Sequence, residues 1–340
     1  MSAHGLDLLV VGGGSFGTAM AHALAAVGRR VQLWVRRPEL AEEINGQHTS
    51  QAYAPGARLA EGLTATTALG PAVREARVVL VAVPSRSFRE VAAQLGEHLR
   101  GDQLLLHGTK GIEIGTGRRM TQILREETCC LKLGVLSGPN LAAEIMAGQP
   151  AGALVASRYD EVVAAVQALF AGSWVRVYGG RDVVGTEVGG SFKNVIALAA
   201  GVVDGLGLGD NSKALVITRG LSEMAQYGVA LGADVFTFGG LAGIGDLIAT
   251  CASELSRNHQ VGERLGRGEP LEDILASLKH VAEGVPTALA VQEEALRRGL
   301  ELPIAAAVHA TLREGRSARE AMQALMSRPV RGELARLRFQ

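Results

Sequence analysis

A glycine-rich turn near the N-terminus constrains the fold of this chain more than any other feature. A short apolar run at residues 8–11 ends at Gly12-Gly13-Gly14-Ser15-Phe16-Gly17, and an alanine-rich segment follows as far as Val27. This order is typical of a strand, a tight turn and a helix. The spacing G-x-G-x-x-G lets the chain turn, lets a pyrophosphate approach the backbone and lets the helix pack on the strand. The turn therefore predicts a dinucleotide site that includes Gly12, Gly14 and Gly17.

Apolar strand patterns alternate with helical patterns through the first half of the chain. We predict strands at residues 8–11, 31–35, 77–83, 103–107, 134–137 and 152–156, with helices at 18–27, 88–99, 118–126 and 141–147. This alternation indicates an α/β fold with a Rossmann-like, doubly wound and mostly parallel sheet. The strand pattern fades from about Asp182, and helical patterns dominate afterwards.

The length of 340 residues favours two domains rather than one. We expect an NAD(P)-binding Rossmann-like domain at residues 1–180. An all-helical C-terminal substrate domain is expected at residues 181–340.

Two arginines follow the second predicted strand, where an NAD-preferring site commonly carries an acidic residue for the ribose hydroxyls. Arg36 and Arg37 instead suit a 2′-phosphate, because guanidinium groups bind phosphate through paired hydrogen bonds. The alternative is a solvated basic turn before a helix that begins near Pro38. We predict that NADP(H) is preferred and that NAD(H) is possible.

Lys193 lies on the small, apolar side of a predicted long helix. At 3.6 residues per turn it shares a face with Thr186, Gly189 and Ala197. One interpretation is a lysine whose stem packs on the protein while its ammonium reaches water. The other is a lysine in a cleft, where small neighbours leave room for a ligand and burial brings its pKa toward neutrality.

Two turns beyond strand ends are further candidates, because ligands of doubly wound sheets bind at the carboxyl ends of the strands. Lys110 lies in Gly108-Thr109-Lys110-Gly111. The preceding strand, at residues 103–107, directs it toward the nicotinamide end of the expected cofactor site. Asn140 ends Ser137-Gly138-Pro139-Asn140 and is either a helix N-cap or a ligand contact.

In the second half, Asp246 follows a glycine-rich turn and is well placed as an ordinary N-cap. Ser256-Arg257-Asn258 opens another predicted helix. Free backbone N–H groups and a guanidinium at such a helix start form a phosphate site, although a capped surface helix explains the tripeptide nearly as well.

Composition excludes several classes of function. The formal net charge is zero and aromatic residues make up 4%, so neither an electrostatic footprint for nucleic acid nor a stacking platform for bases is expected. We see no leader sequence. No apolar stretch approaches the length of roughly 20 residues that is needed to cross a bilayer. The spacing of Cys129, Cys130 and Cys251 fits neither a metal site nor a disulfide framework, so we expect a cytoplasmic protein without a metal centre.

Several passages together resemble NAD(P)-dependent glycerol-3-phosphate dehydrogenase of the bacterial biosynthetic type, in matching order over nearly the whole chain. They comprise residues 12–17, 108–111 and 137–140, Gly190-Ser191-Phe192-Lys193-Asn194, Thr218-Arg219-Gly220-Leu221, Gly243-Ile244-Gly245-Asp246-Leu247, residues 256–258, and Val281-Ala282-Glu283-Gly284. The resemblance implies reversible reduction of dihydroxyacetone phosphate by NAD(P)H to sn-glycerol 3-phosphate. That product would feed glycerophospholipid synthesis, and the resemblance also implies a homodimer.

The resemblance implies specific residues. Catalysis would involve Lys193 as general acid or base, together with Lys110 and Asp246. The cofactor would be contacted by Gly12, Gly14, Ser15, Phe16, Gly17, Arg36, Arg37, Lys110, Ala142, Arg257, Val281 and Glu283. The phosphorylated three-carbon substrate would be contacted by Lys110, Gly138, Asn140, Lys193, Asp246, Ser256, Arg257 and Asn258.

Two departures from the family pattern stand out: Asn140 replaces the more frequent threonine or serine, and the pair Arg36-Arg37 differs from many members. Two other functions stay open. One is a related two-domain dehydrogenase for a β-hydroxy acid or a ketopantoate-like substrate, against which residues 256–258 argue. The other is a non-catalytic dinucleotide-sensing protein, in which Lys193 would be incidental.

Overall fold

A computed structural model describes residues 5–278, 281–329 and 332 of the chain. The chain forms two compact units. The first comprises the chain as far as Thr109 together with Arg119–Val183, and the second comprises Lys110–Arg118 and the chain from Val184 onward. The segment Lys110–Arg118 thus groups with the second unit, although we expected residues 1–180 to form one domain.

The first unit is a sheet with helices. Its strands are β1 (Leu6–Val11), β2 (Val31–Trp34), β3 (Thr64–Thr66), β4 (Ala76–Val81), β5 (Leu104–His107), β6 (Leu133–Ser137), β7 (Ala151–Ser157) and β8 (Val175–Gly180). Its helices are α1 (Ser15–Ala25), α2 (Pro38–Gln47), α3 (Leu69–Glu75), α4 (Phe88–Gly96), α5 (Met120–Glu127), α6 (Ala142–Met146) and α7 (Asp160–Phe170).

The strands form one sheet in the order β3-β2-β1-β4-β5-β6-β7-β8. Every neighbouring pair is parallel except β6 and β7. The predicted Rossmann-like, doubly wound and mostly parallel sheet is therefore confirmed. The edge strands β3 and β8 were not among the predicted strands; β3 has only three residues and lacks a readable apolar run.

Alternating side chains of β1 pack into two cores, one on each face of the sheet. Leu8 and Val10 join a cluster that includes Leu24 of α1, whereas Leu9 and Val11 join a cluster that includes Phe88 of α4. Both faces of the strand are buried, as in parallel sheets that helices cover on both sides.

The described part of the second unit is helical, with α8 (Val183–Gly205), α9 (Asp210–Ala230), α10 (Asp246–Ala252), α11 (Arg257–Gly266), α12 (Leu271–Ser277), α13 (Gly284–Arg298), α14 (Pro303–Arg313) and α15 (Ala318–Met326). A 3₁₀ turn at Val235–Gly239 and a π-helical turn at Leu241–Gly245 precede α10. Helix α8 is buried along most of its length, and its glycines let other backbones approach. A Cβ at Gly201 would lie 2.1 Å from the carbonyl oxygen of His259.

The start of α10 corrects one predicted cap. Asp246 is the first residue of α10 rather than its N-cap, which is Gly245. Among the described residues, no helix has the length and hydropathy needed to span a membrane.

Candidate functional site

The glycine turn between β1 and α1 has the geometry that a dinucleotide-binding turn requires. Gly12 has a φ of +121°, and a Cβ there would lie 2.6 Å from the carbonyl oxygen of Ala82. A Cβ at Gly17 would lie 2.0 Å from the carbonyl oxygen of Gly12. Both positions therefore require glycine for the fold itself, the first for the turn and the second for packing the helix on the strand.

Gly14 differs from its neighbours and provides a test of cofactor fit. Its φ of −73° and ψ of 174° suit any residue, and a Cβ there would meet no atom of the chain within 4 Å. The fold therefore does not require glycine at this position, whereas a pyrophosphate approaching the start of α1 would. Ser15 and Phe16 form the first turn of that helix, and the Phe16 ring covers Gly108 so closely that a Cβ there would clash.

Arg36 and Arg37 follow β2 and are both exposed. The guanidinium carbon of Arg37 lies 5.7 Å from the ring centroid of Tyr53, a distance at which cation–π attraction helps to orient the guanidinium. The end of β2 therefore presents two cations to the solvent. This arrangement fits the phosphate of an NADP molecule better than the hydroxyls of an NAD ribose.

The turn after β6 orients Asn140 as a hydrogen-bond acceptor. Its Nδ2 donates to the carbonyl oxygen of Gly152 at 2.9 Å, which fixes the amide, while Oδ1 is buried and accepts no hydrogen bond from the described residues. Gly138 has a φ of +128° and a Cβ there would meet the Gly152 carbonyl oxygen at 3.0 Å. Asn140 is not an N-cap, since α6 begins at Ala142 after the N-cap Leu141.

In the second unit, Lys193, Asp246 and Lys110 form a buried charge cluster. The Nζ of Lys193 lies 2.5 Å from Oδ1 of Asp246, and the Nζ of Lys110 lies 2.6 Å from Oδ2. Lys193 is 6% exposed and Asp246 is 2% exposed. Two ammonium groups therefore share one carboxylate, and these three side chains, counted by themselves, carry a net positive charge when both lysines are protonated.

Thr250 is a second hydrogen-bond partner of the Lys193 ammonium, and its role was not predicted. The Nζ of Lys193 donates to Oγ1 of Thr250 at 2.6 Å, and that hydroxyl donates to the backbone oxygen of Asp246 at 2.6 Å. Asp246 and Thr250 are four residues apart on α10 and therefore lie on one face of it. The role of Thr250 beside Asp246 could have been predicted from this spacing.

Burial sets the protonation of the cluster. It lowers the pKa of Lys193 from 10.5 to about 8, while Asp246 opposes this change and the positive charge of Lys110 adds to it. Burial also raises the pKa of the neighbouring Cys251 to about 12, so its thiol stays protonated. Lys193 can therefore exchange a proton near neutral pH, as a general acid or base must.

The small residues around Lys193 serve packing rather than space for a ligand. A Cβ at Gly189 would lie 2.2 Å from the carbonyl oxygen of Ala242, and Thr186 and Ala197 are fully buried. The expectation that these neighbours leave room is therefore wrong at Gly189, because the π-helical turn at Leu241–Gly245 occupies that side of the helix.

The predicted phosphate tripeptide divides into three roles. Ser256 is the N-cap of α11 and accepts the His259 N–H at 3.3 Å, so the capped-helix interpretation holds for it. Arg257 is an exposed residue, but partial burial of its guanidinium lowers its pKa, and the negative charge of Glu283, another predicted residue, opposes that change. Asn258 is buried and hydrogen-bonded to Asn194 and Gly284. No role was predicted for Asn194, although it directly follows Lys193. Val281 is half-buried, and no hydrogen bond between it and the cluster is seen among the described residues.

Comparisons with known proteins agree over most of the chain. Residues 7–163 match the N-terminal model of NAD-dependent glycerol-3-phosphate dehydrogenase, and residues 182–323 match its C-terminal model. A glycerol-3-phosphate dehydrogenase [NAD(P)+] of Streptomyces griseus is 45% identical over 332 residues, which cover 97% of this chain and 99% of that protein.

Solved structures separate the family from the wider fold. Glycerol-3-phosphate dehydrogenase of Coxiella burnetii superposes with a TM-score of 0.90 at 32% identity, covering 95% of this chain and 99% of that one. A ketopantoate reductase of Ralstonia eutropha reaches a TM-score of 0.58 at 16% identity, covering 93% of this chain and 100% of that one, and shares the fold alone. The chain belongs to the NAD-dependent glycerol-3-phosphate dehydrogenase family.

Proposed function

We propose that this protein is an NAD(P)-dependent glycerol-3-phosphate dehydrogenase that reduces dihydroxyacetone phosphate reversibly to sn-glycerol 3-phosphate. The observation that carries the proposal is the buried cluster in which Lys193 and Lys110 share the carboxylate of Asp246. Ketone reduction places negative charge on the carbonyl oxygen and then requires a proton there. A buried cluster with excess positive charge and a titratable ammonium meets both requirements.

In this mechanism Lys193 donates its proton to the C2 oxygen in the reducing direction and takes it back in the oxidising direction. Reduced nicotinamide, when bound, supplies the hydride. Asp246 and Thr250 hold the Lys193 ammonium through hydrogen bonds of 2.5 and 2.6 Å, which fix its position before the substrate arrives. Lys110 adds a second positive charge that stabilises the developing oxyanion and favours release of the Lys193 proton.

Substrate specificity rests on Arg257 at the start of α11, whose guanidinium suits the phosphate end of the substrate. Asn140 would accept a hydrogen bond from a substrate hydroxyl through its buried Oδ1. A threonine or serine hydroxyl also offers an oxygen acceptor, so Asn140 would preserve this part of the family pattern.

The cofactor would bind at Gly12, Gly14, Ser15, Phe16 and Gly17, with Arg36 and Arg37 selecting NADP(H) over NAD(H). The preference is supported by the two exposed guanidinium groups after β2. We further propose that the enzyme acts in the cytoplasm as a homodimer and that its product enters glycerophospholipid synthesis. Light scattering of the purified protein tests the dimer.

One assay tests the reaction and separates it from its alternatives. NADPH oxidation should be rapid with dihydroxyacetone phosphate and slower by about a thousandfold or more in kcat/KM with dihydroxyacetone, because the phosphate contacts are lost. A higher kcat/KM with ketopantoate or a β-keto acid would indicate the related dehydrogenases. NADPH binding without turnover on any of these compounds would indicate a non-catalytic dinucleotide-sensing protein.

A further inference from the structure

The turn after β4 lies beside the glycine turn that begins α1. The strand order places β4 next to β1, on the side opposite β2. The backbone N–H of Ala82, directly after β4, donates to the carbonyl oxygen of Val11 at 2.8 Å. A Cβ at Gly12 would lie 2.6 Å from the Ala82 carbonyl oxygen and 2.9 Å from Cγ1 of Val83. The end of β4 is therefore packed directly against the first glycine of the turn.

Arg86 follows Ala82 by four positions. It lies in a single 3₁₀ turn, Ser85–Ser87, which leads into α4. A 3₁₀ helix rises only about 2 Å per residue, so this turn keeps Arg86 near the carboxyl edge of the sheet. The chain is also held where it leaves the sheet, because the carbonyl oxygen of Val83 accepts the hydroxyl of Thr109 at 2.7 Å. Backbone contacts thus set the position of Arg86 beside the glycine turn.

The guanidinium of Arg86 is not bound to any part of the chain that the structure describes. The residue is exposed, and it makes no hydrogen bond or ion pair with a described residue. Arg89, on the first turn of α4, differs in this respect, because its guanidinium pairs with Glu126 at 2.8 Å and also with Glu127. The contacts of the fold therefore account for Arg89, whereas Arg86 is available to a ligand.

The glycine turn itself supplies little positive charge. Residues 12–17 include no basic side chain, and the start of α1 contributes only the partial charge of about +0.5 that a helix N-terminus carries. A pyrophosphate is a dianion, so backbone N–H groups alone leave most of its charge unneutralised. Arg36 and Arg37 lie on the other side of β1, at the end of β2, where we propose that they bind the 2′-phosphate. A guanidinium on the β4 side would supply the missing charge.

We propose that Arg86 binds the pyrophosphate of the nicotinamide cofactor from the β4 side of the glycine turn. A guanidinium suits this group, because it is always charged and donates paired hydrogen bonds to phosphate oxygens. NADPH and NADH share the pyrophosphate, so Arg86 contributes to the affinity for both cofactors and does not select between them. The selective role belongs to Arg36 and Arg37. This inference rests on the proposed cofactor site at the glycine turn.

Calorimetric titration of the full chain with NADPH and with NADH tests the inference without an activity assay. Arg86→Ala should weaken binding of each cofactor by about tenfold, because a charged donor to a shared group is lost. Arg86→Lys keeps the charge but not the paired donors, and should weaken each by about threefold. Arg74→Ala is the matched control, because this exposed arginine lies in the last turn of α3, directly before β4 and so at the opposite edge of the sheet. It should leave both affinities unchanged.

Two further measurements separate a direct contact from a structural effect. The midpoint of thermal unfolding of Arg86→Ala without cofactor should stay within about 2 °C of wild type, because the guanidinium is bound to no described residue. The affinity lost in Arg86→Ala should become smaller as the salt concentration rises, because salt screens an exposed ionic contact. A lower unfolding midpoint together with weaker binding would indicate a structural role and overturn the inference.

The inference is also overturned if Arg86→Ala leaves both affinities unchanged, or if it weakens the binding of NADPH alone, which would place Arg86 at the 2′-phosphate. Gly14→Ala separates this inference from the proposed cofactor site on which it rests. If Gly14→Ala weakens NADPH binding and Arg86→Ala does not, only the inference fails. If neither variant weakens NADPH binding, the proposed site at the glycine turn fails as well.

Discussion

Lys193 and Asp246 form a buried ion pair in which the Lys193 ammonium lies 2.5 Å from a carboxylate that also binds a second lysine. An isolated buried lysine loses its proton readily, and one fully paired with its own carboxylate keeps it. Burial is the main reason that the pKa of Lys193 falls to about 8 beside a negative charge, and the positive charge of Lys110 on the shared carboxylate adds to the fall.

The pH dependence of the reaction should follow the protonation of Lys193. Burial lowers its pKa from 10.5 to about 8, and the groups around it are Asp246, Lys110 and Cys251. Reduction needs the protonated lysine, so its kcat/KM should fall about tenfold per pH unit above that pKa. Oxidation needs the neutral lysine and should rise toward the same midpoint. A reduction rate that stays constant well above this pKa would contradict the assignment.

Removal of Lys110 should weaken catalysis and shift the pH profile. Lys110→Met takes one positive charge from Asp246, which should lower kcat/KM by about tenfold to a hundredfold. The pKa of Lys193 should rise, because a like charge no longer favours its neutral form, and the midpoint for reduction should move to higher pH. Lys213→Met is the control, since the Lys213 ammonium pairs with Asp204 at 2.7 Å. An unchanged midpoint in Lys110→Met would contradict the role given to this charge.

The two arginines after β2 should determine cofactor preference. A hydrogen bond between a guanidinium and a phosphate contributes about 1.5–3 kcal/mol, so Arg36→Ala or Arg37→Ala should reduce the ratio of kcat/KM for NADPH to that for NADH by about tenfold to a hundredfold. The kcat/KM for NADH should change little. Arg74→Ala, at an exposed arginine of α3, provides the comparison. A wild-type preference for NADH would show the prediction to be wrong.

The glycine turn offers a matched pair of variants. Gly14→Ala should leave the free energy of unfolding within about 0.5 kcal/mol of wild type, because its Cβ meets no atom of the chain. It should nevertheless weaken NADPH binding by about tenfold or more, because the Cβ lies in the path of the pyrophosphate. Gly17→Ala should cost about 2 kcal/mol or more in stability, since its Cβ would lie 2.0 Å from the Gly12 carbonyl oxygen.

Thermal unfolding and calorimetric titration with NADPH measure both effects. Equal stability of Gly17→Ala and wild type would contradict the packing argument. Unchanged NADPH affinity in Gly14→Ala would contradict the proposed path of the pyrophosphate.

Local patterns explain why much of the fold could be predicted. The strand, turn and helix around residues 12–17 depend on neighbouring residues, and the alternation of apolar strands with helices identifies a doubly wound sheet. The short strand β3 has no such pattern and was missed. The π-helical turn before α10 likewise depends on packing against α8, as the approach of Ala242 to Gly189 illustrates.

Contacts between distant residues explain what could not be predicted in the site. Lys110 and Asp246 are 136 positions apart, and their ion pair needs the segment Lys110–Arg118 to leave the first unit for the second. Asp246 and Asn140 both looked like helix caps, but each makes a tertiary bond instead. Asn258 resembled a phosphate ligand, and only the structure shows that its amide joins Asn194 to Gly284.

Replacement of Lys193 tests the central claim most directly. Lys193→Met removes the titratable ammonium while keeping a side chain of similar length, and NADPH titration shows whether the first unit still binds its cofactor. We predict that NADPH affinity stays within about twofold of wild type while turnover of dihydroxyacetone phosphate falls by about a thousandfold or more. Turnover within about tenfold of wild type would show that Lys193 is not the proton donor.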